Sequence, residues 1–64
     1  MKIICLRTGK TLEKNLSISS ASAAMVRRIR AECERANWSN ENTEKLINNY
    51  QLFNTNPFMF EVRA

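Results

Sequence analysis

Apolar positions in the middle of the chain repeat with a helical spacing. From Ala21 to Ala36, a stripe about 100° wide contains apolar or small residues, namely Ser22, Met25, Val26, Ile29, Cys33 and Ala36. The serines just before this segment supply N-cap oxygens, and we expect the helix to be capped by Ser19 or Ser20. The pattern predicts an amphipathic helix with one face on a core.

A second amphipathic segment follows the break at residues 37–40. Ser39 or Asn40 is its expected N-cap, and Glu41 lies in the first turn, where negative charge suits the helix dipole. Its apolar stripe consists of Thr43, Leu46, Ile47, Tyr50 and Phe53. Leu52 falls outside this stripe, and Glu41 and Lys45 form a favourable i,i+4 pair.

Both ends of the chain have the features of strands. Residues 2–7 are a short β-branched, apolar run, and Gly9 follows in a position suited to a turn. Residues 58–63 alternate between two sides, which is typical of a half-buried strand. The segment between the N-terminal strand and the first helix is ambiguous. Residues 11–16 form either a second hairpin strand, with Leu12 opposite Leu6, or an irregular lead into the helix.

These elements predict one α+β domain over residues 1–64. We expect two helices packed on one face of a small two- or three-stranded sheet formed by the N- and C-terminal strands, in the order β-(β)-α-α-β. A chain of this size has a small core, and many such domains gain stability by association. We therefore expect a homodimer, with Leu52 and Met59 as the candidate dimer or partner surface. The alternative is a monomer with scattered exposed apolar residues.

The residue types missing from the chain argue against catalysis. It has no histidine and no aspartate, which removes the commonest acid–base group and metal ligand. Cys5 and Cys33 lack a paired spacing and stand among apolar neighbours, as free buried thiols do. We expect a protein that is not an enzyme, with no cofactor, no metal and no small-molecule substrate.

The apolar runs are short. None approaches the roughly 20 residues of a membrane helix, and residues 3–6 are too few for the apolar part of a secretory signal. With two expected free thiols, these features favour a cytoplasmic protein without a membrane partner.

Positive charge is concentrated in the first half of the chain. The net charge is +4, and residues 1–30 contain seven basic residues against Glu13 alone. Arginine binds phosphate in a bidentate manner. The candidate binding residues are the helix arginines and two lysines of the preceding segment, namely Arg27, Arg28, Arg30, Arg35, Lys10 and Lys14. Arg27, Arg28 and Arg35 are predicted to project away from the core-facing stripe, and Lys2 and Arg7 extend the patch if the first turn lies nearby.

The favoured function is that of a small non-enzymatic regulatory or binding module that contacts nucleic acid through this helix face. The alternative is a protein-binding adaptor or inhibitor, of the type that phages and bacteria encode as accessory proteins, docking on an acidic partner surface. A third interpretation is a solvated face with Arg28–Glu32 and Arg30–Glu34 ion pairs. The aromatic residues do not alternate with basic ones along the chain, which argues against a platform for stacking single-stranded bases.

Overall fold

A computed structural model describes all residues from 1 to 64 and shows the α+β arrangement. Its elements are β1 (Lys2–Cys5), β2 (Thr11–Glu13), α1 (Ile18–Arg35), α2 (Asn40–Phe53) and β3 (Phe60–Arg63). The strands form an antiparallel sheet in the order β2-β1-β3, and the two helices pack with it. The predicted architecture is confirmed, and the ambiguous segment contains a second hairpin strand.

The core is built mainly from α1, with contributions from the sheet and α2. The cluster of buried residues consists of Ile3, Ala24, Met25, Ile29, Cys33, Ile47 and Tyr50. On β1, Ile3 and Cys5 are both buried, and they lie opposite Val62 and Phe60 of β3. Cys5 and Cys33 are free and buried, as predicted. Neither helix combines the length and apolar character needed to cross a bilayer.

The predicted hairpin register is wrong, because the turn is longer than expected. The N–H of Cys5 donates to the carbonyl of Lys10 at 2.9 Å, and the N–H of Gly9 donates to the carbonyl of Cys5 at 2.8 Å. Gly9 has a φ of 75°, a conformation that costs glycine little. The first strand therefore ends at Cys5 rather than at residue 7. Pairing places Glu13 opposite Ile3, and Leu6 instead donates its N–H to Met59.

The first helix begins earlier than predicted. Its N-cap is Ser17, whose side chain accepts from the N–H of Ser20, so Ser19 and Ser20 lie inside the helix. The predicted core-facing stripe is also shifted around the helix axis. Ala21 and Ala24 are buried, whereas Ser22 and Ala36 are exposed. The shift brings Arg28 next to the buried stripe rather than opposite it.

Asparagines terminate both helices. Asn37, with φ of 59°, follows α1, and the bonds Trp38 N–H to Cys33 and Asn37 N–H to Glu34 complete a Schellman motif. Asn54, with φ of 55°, ends α2. Asparagine tolerates the left-handed conformation better than most residues, which suits a chain with one glycine.

In the second helix, the predicted N-cap at Ser39 and most of the predicted apolar stripe are confirmed. Thr43, Ile47 and Tyr50 are buried. Phe53, however, is 68% exposed, because α2 ends at this residue and its side chain lies beyond the core. The final strand starts at residue 60, two residues later than predicted, after a loop in which Met59 takes a φ of 62°.

Candidate functional site

Two of the candidate arginines share one carboxylate on the hairpin. Glu13, at the end of β2, accepts from Arg27 at 3.1 Å and from Arg28 at 2.7 Å. Arg28 also donates to the carbonyl of Leu12 at 3.2 Å. Its side chain is only 32% exposed, whereas that of Arg27 is 67% exposed. Arg28 is therefore a fixed connection between α1 and β2, and the surface retains one uncompensated positive charge at this point.

The other two candidate arginines are paired as well. Arg30 donates to Glu44 of α2, and this carboxylate raises the pKa of the guanidinium through the hydrogen bond and its charge. Arg35 lies 3.3 Å from Glu32, one turn back on the same helix. The i,i+4 partners Arg28–Glu32 and Arg30–Glu34 do not form ion pairs. Each of the four guanidiniums therefore has a carboxylate partner, although Arg27 and Arg35 remain largely exposed to solvent.

The unpaired positive charge lies on the N-terminal hairpin instead. Of the ten lysines and arginines, six are within 4.0 Å of a carboxylate oxygen, counting the Lys45–Glu41 and Arg63–Glu61 pairs. The four side-chain cations without such a partner are Lys2, Arg7, Lys10 and Lys14. Glu34 is the one carboxylate side chain outside these pairs. The hairpin and its turn therefore hold most of the net positive charge.

A cleft of about 360 Å³ opens where this turn meets the helix α1. Arg7, Thr8 and Lys10 line it from the turn, and Arg28, Glu32 and Arg35 line it from the helix. The three helix residues lie at i, i+4 and i+7, so they form one row along α1. Its remaining walls are Cys5, Leu12, Phe58 and Phe60. The cleft combines four cations, one carboxylate and an apolar wall.

Asn56 holds the aromatic wall in place. Its side-chain Oδ1 accepts from the N–H groups of Phe58 and Phe60 at 3.1 and 3.2 Å, and its Nδ2 donates to the carbonyl of Phe60 at 3.0 Å. The two rings lie 5.9 Å apart, centroid to centroid, and both are half-buried against the core. One asparagine side chain thus fixes the loop that places both phenylalanines beside the basic residues.

Cys5 lies in the wall of the cleft beside the turn. Hydrogen bonds from the side chain and backbone of Thr8 lower the pKa of its thiol, and Arg7 acts in the same direction against the effect of burial. Cys5 as a whole is 5% exposed, so its thiol is a buried part of the cleft wall.

The predicted binding residues do not all meet in one place. Lys10, Arg28 and Arg35 line the cleft, with Arg7 beside them, so the first turn does lie near the helix as the extended patch required. Arg27, Arg30 and Lys14 lie outside the cleft and are exposed. Phe58 and Phe60 were not predicted as site residues, because they are distant from the basic residues in the sequence.

The candidate partner residues Leu52 and Met59 are exposed, by 74% and 47%. Met59 lines a shallow depression with Leu6 and Glu61, whereas Leu52 lies on α2 outside it. No group of three or more cysteine or glutamate side chains is arranged to hold a metal ion. Comparison with known proteins finds no matching family model, no similar curated protein and no similar solved structure.

Proposed function

We propose that this protein is a small non-enzymatic module that binds nucleic acid through the basic cleft and the hairpin turn. The observation that carries the proposal is the position of the unpaired cations. Arg7 and Lys10 have no carboxylate partner, and both line the same concave surface as Arg28 and Arg35. A phosphate bound there replaces no intramolecular ion pair of these two residues, so their charge is available to a ligand.

The proposed interface lies on the hairpin turn and the cleft, rather than on the exposed helix face expected from the sequence. Arg27 and Arg30 are exposed but paired with Glu13 and Glu44, and binding through them requires exchange of one carboxylate for a phosphate. Lys14 is exposed and unpaired on the same hairpin. It is therefore placed to add a long-range electrostatic contribution outside the cleft.

Salt-dependent binding tests the proposal. A fluorescently labelled oligonucleotide is titrated at several salt concentrations with wild-type protein and with the double variant Arg7→Gln/Lys10→Gln. The logarithm of the association constant should fall linearly with the logarithm of the salt concentration. If both residues contact phosphate, the steepness of this line should be smaller by roughly 1.5 in the double variant. The matched control Lys45→Gln/Arg63→Gln removes the same charge outside the cleft and should retain the wild-type affinity more closely.

Two results contradict binding of nucleic acid, and a third contradicts binding at the cleft. One is the absence of binding at low salt by folded wild-type protein. The other is equal competition by a poly-glutamate peptide of the same charge, which would indicate the alternative function of docking on an acidic protein surface. Equal weakening by both double variants would show attraction by net charge without a defined site.

A further inference from the structure

We infer that the cleft accepts an unpaired base, so that its ligand is single-stranded rather than duplex nucleic acid. This inference rests on the proposed function and names the form of nucleic acid that the same site takes. It depends on two phenylalanines and two unpaired cations that line the same cleft although they are far apart in the sequence. Phe58 and Phe60 come from the loop and strand at the C-terminal end, whereas Arg7 and Lys10 belong to the first turn.

The apolar wall distinguishes between the two forms of nucleic acid. A duplex presents phosphates and base edges, and its base faces are already stacked on each other. A concave surface with two half-buried phenylalanines gives those phosphates no favourable contact. A single strand, in contrast, can turn one base out of its stack and place the base face on an aromatic ring.

The charges in the cleft are distributed in a way that suits a base beside a phosphate. The Arg35–Glu32 pair is nearly neutral, and Arg28 is held by Glu13. The net positive charge of the cleft therefore comes from Arg7 and Lys10. The Glu32 carboxylate repels phosphate, but a carboxylate can accept a hydrogen bond from an N–H group of a base, including the ring N–H of thymine. A volume of about 360 Å³ lies within the usual range of small-ligand sites, about 300–1,000 Å³.

The ligand itself provides the first test, with unmodified protein. Three probes carrying the same label are compared by fluorescence anisotropy at one salt concentration: a 12-nucleotide thymidine strand, an abasic strand of the same length, and a 12-base-pair duplex. We expect the thymidine strand to bind about tenfold more tightly than the abasic strand, since stacking supplies the difference. We also expect it to bind more tightly than the duplex.

Substitutions then locate the effect. Phe58→Leu and Phe60→Leu should weaken binding of the thymidine strand toward that of the abasic strand and leave the abasic strand unchanged. Phe53→Leu is the matched control, because Phe53 is exposed and lies outside the cleft. Circular dichroism melting confirms that each variant is folded. If a variant fails to fold, the comparison of the three probes on wild-type protein still decides the question.

The outcomes separate the inference from the proposal beneath it. Equal binding of the thymidine and abasic strands overturns the inference but leaves binding through charge intact. Tighter binding of the duplex also overturns it. Failure of every probe to bind at low salt contradicts the proposed function itself.

Discussion

Substitution of Glu13 by glutamine separates the structural role of the helix arginines from their binding role. Glu13 holds Arg27 and Arg28 at 3.1 and 2.7 Å. The change removes the negative charge but keeps an acceptor oxygen and the position in β2. It therefore weakens the ion pairs between α1 and the hairpin without opening the core.

The expected loss of stability follows from the exposure of the two pairs. The Arg27 side chain is 67% exposed, so solvent screens its pair and the contribution is a few tenths of a kcal/mol. Arg28 and Glu13 are 32% and 23% exposed, and their closer pair contributes roughly 0.5–1 kcal/mol. The total is about 1 kcal/mol, which lowers the Tm of a domain of this size by about 4–8 °C.

The assay is thermal unfolding followed by circular dichroism, at low and at high salt. Glu34→Gln is the matched control, because it makes the same charge change on α1 at the one carboxylate side chain without an ion pair. We expect the Tm of Glu13→Gln to fall and that of Glu34→Gln to stay near the wild-type value. The difference should shrink near 1 M salt, where the screening length is about 3 Å.

The same two variants measure the effect on binding. Glu13→Gln frees two guanidiniums beside the cleft, so its affinity for the thymidine strand should rise more than that of Glu34→Gln. Equal Tm values for the two variants would refute the structural part of this reasoning. Equal affinities would show that the released arginines do not contact the ligand.

Three further predictions concern the loop, the core and self-association. Asn56→Ala removes three side-chain hydrogen bonds to the backbone and should lower the free energy of unfolding by about 2 kcal/mol, measured by thermal unfolding. The control Asn49→Ala, on the surface of α2, should leave it unchanged. Equal melting temperatures of the two variants would contradict the role of Asn56. Burial raises the pKa of Tyr50, so ionisation opposes folding. The buried, neutral Tyr50 side chain should therefore stabilise the fold fully below about pH 10, and this stabilisation should decline as the pH rises further. Urea unfolding at pH 8 and pH 11 should show a smaller alkaline loss in Tyr50→Phe, and an identical loss would be inconsistent with this cause. If the chain forms the expected homodimer through Leu52, sedimentation velocity should show a dimer that Leu52→Lys weakens; a wild-type monomer at all concentrations would exclude it.

The helices and the class of fold could be predicted because their determinants are local. Apolar spacing located α1 and α2, and alternation located β3. The start of α1 was wrong because several serines before it offer equivalent cap oxygens, and only the bond from Ser20 N–H to Ser17 selects one of them. The hairpin register was wrong because it depends on the length of the turn, which Gly9 alone does not determine.

The site was predicted in part, because half of it depends on contacts between distant segments. The helix pattern located the arginines on α1, but it did not reveal their ion-pair partners. Those of Arg27, Arg28 and Arg30 lie 14 or 15 residues away, beyond the i,i+4 spacing within a helix. The pairing of β3 with β1 brings Phe60 opposite Cys5 and so places the aromatic wall beside the first turn. No local pattern of the sequence encodes that juxtaposition.

NMR chemical-shift mapping with the thymidine strand shows directly whether the cleft holds the ligand. We expect amide shifts to change at the first turn, residues 7–10, and at residues 58–60, with smaller changes near Arg28 and Arg35. Changes confined instead to the surface formed by Trp38, Asn42 and Lys45 would contradict this expectation.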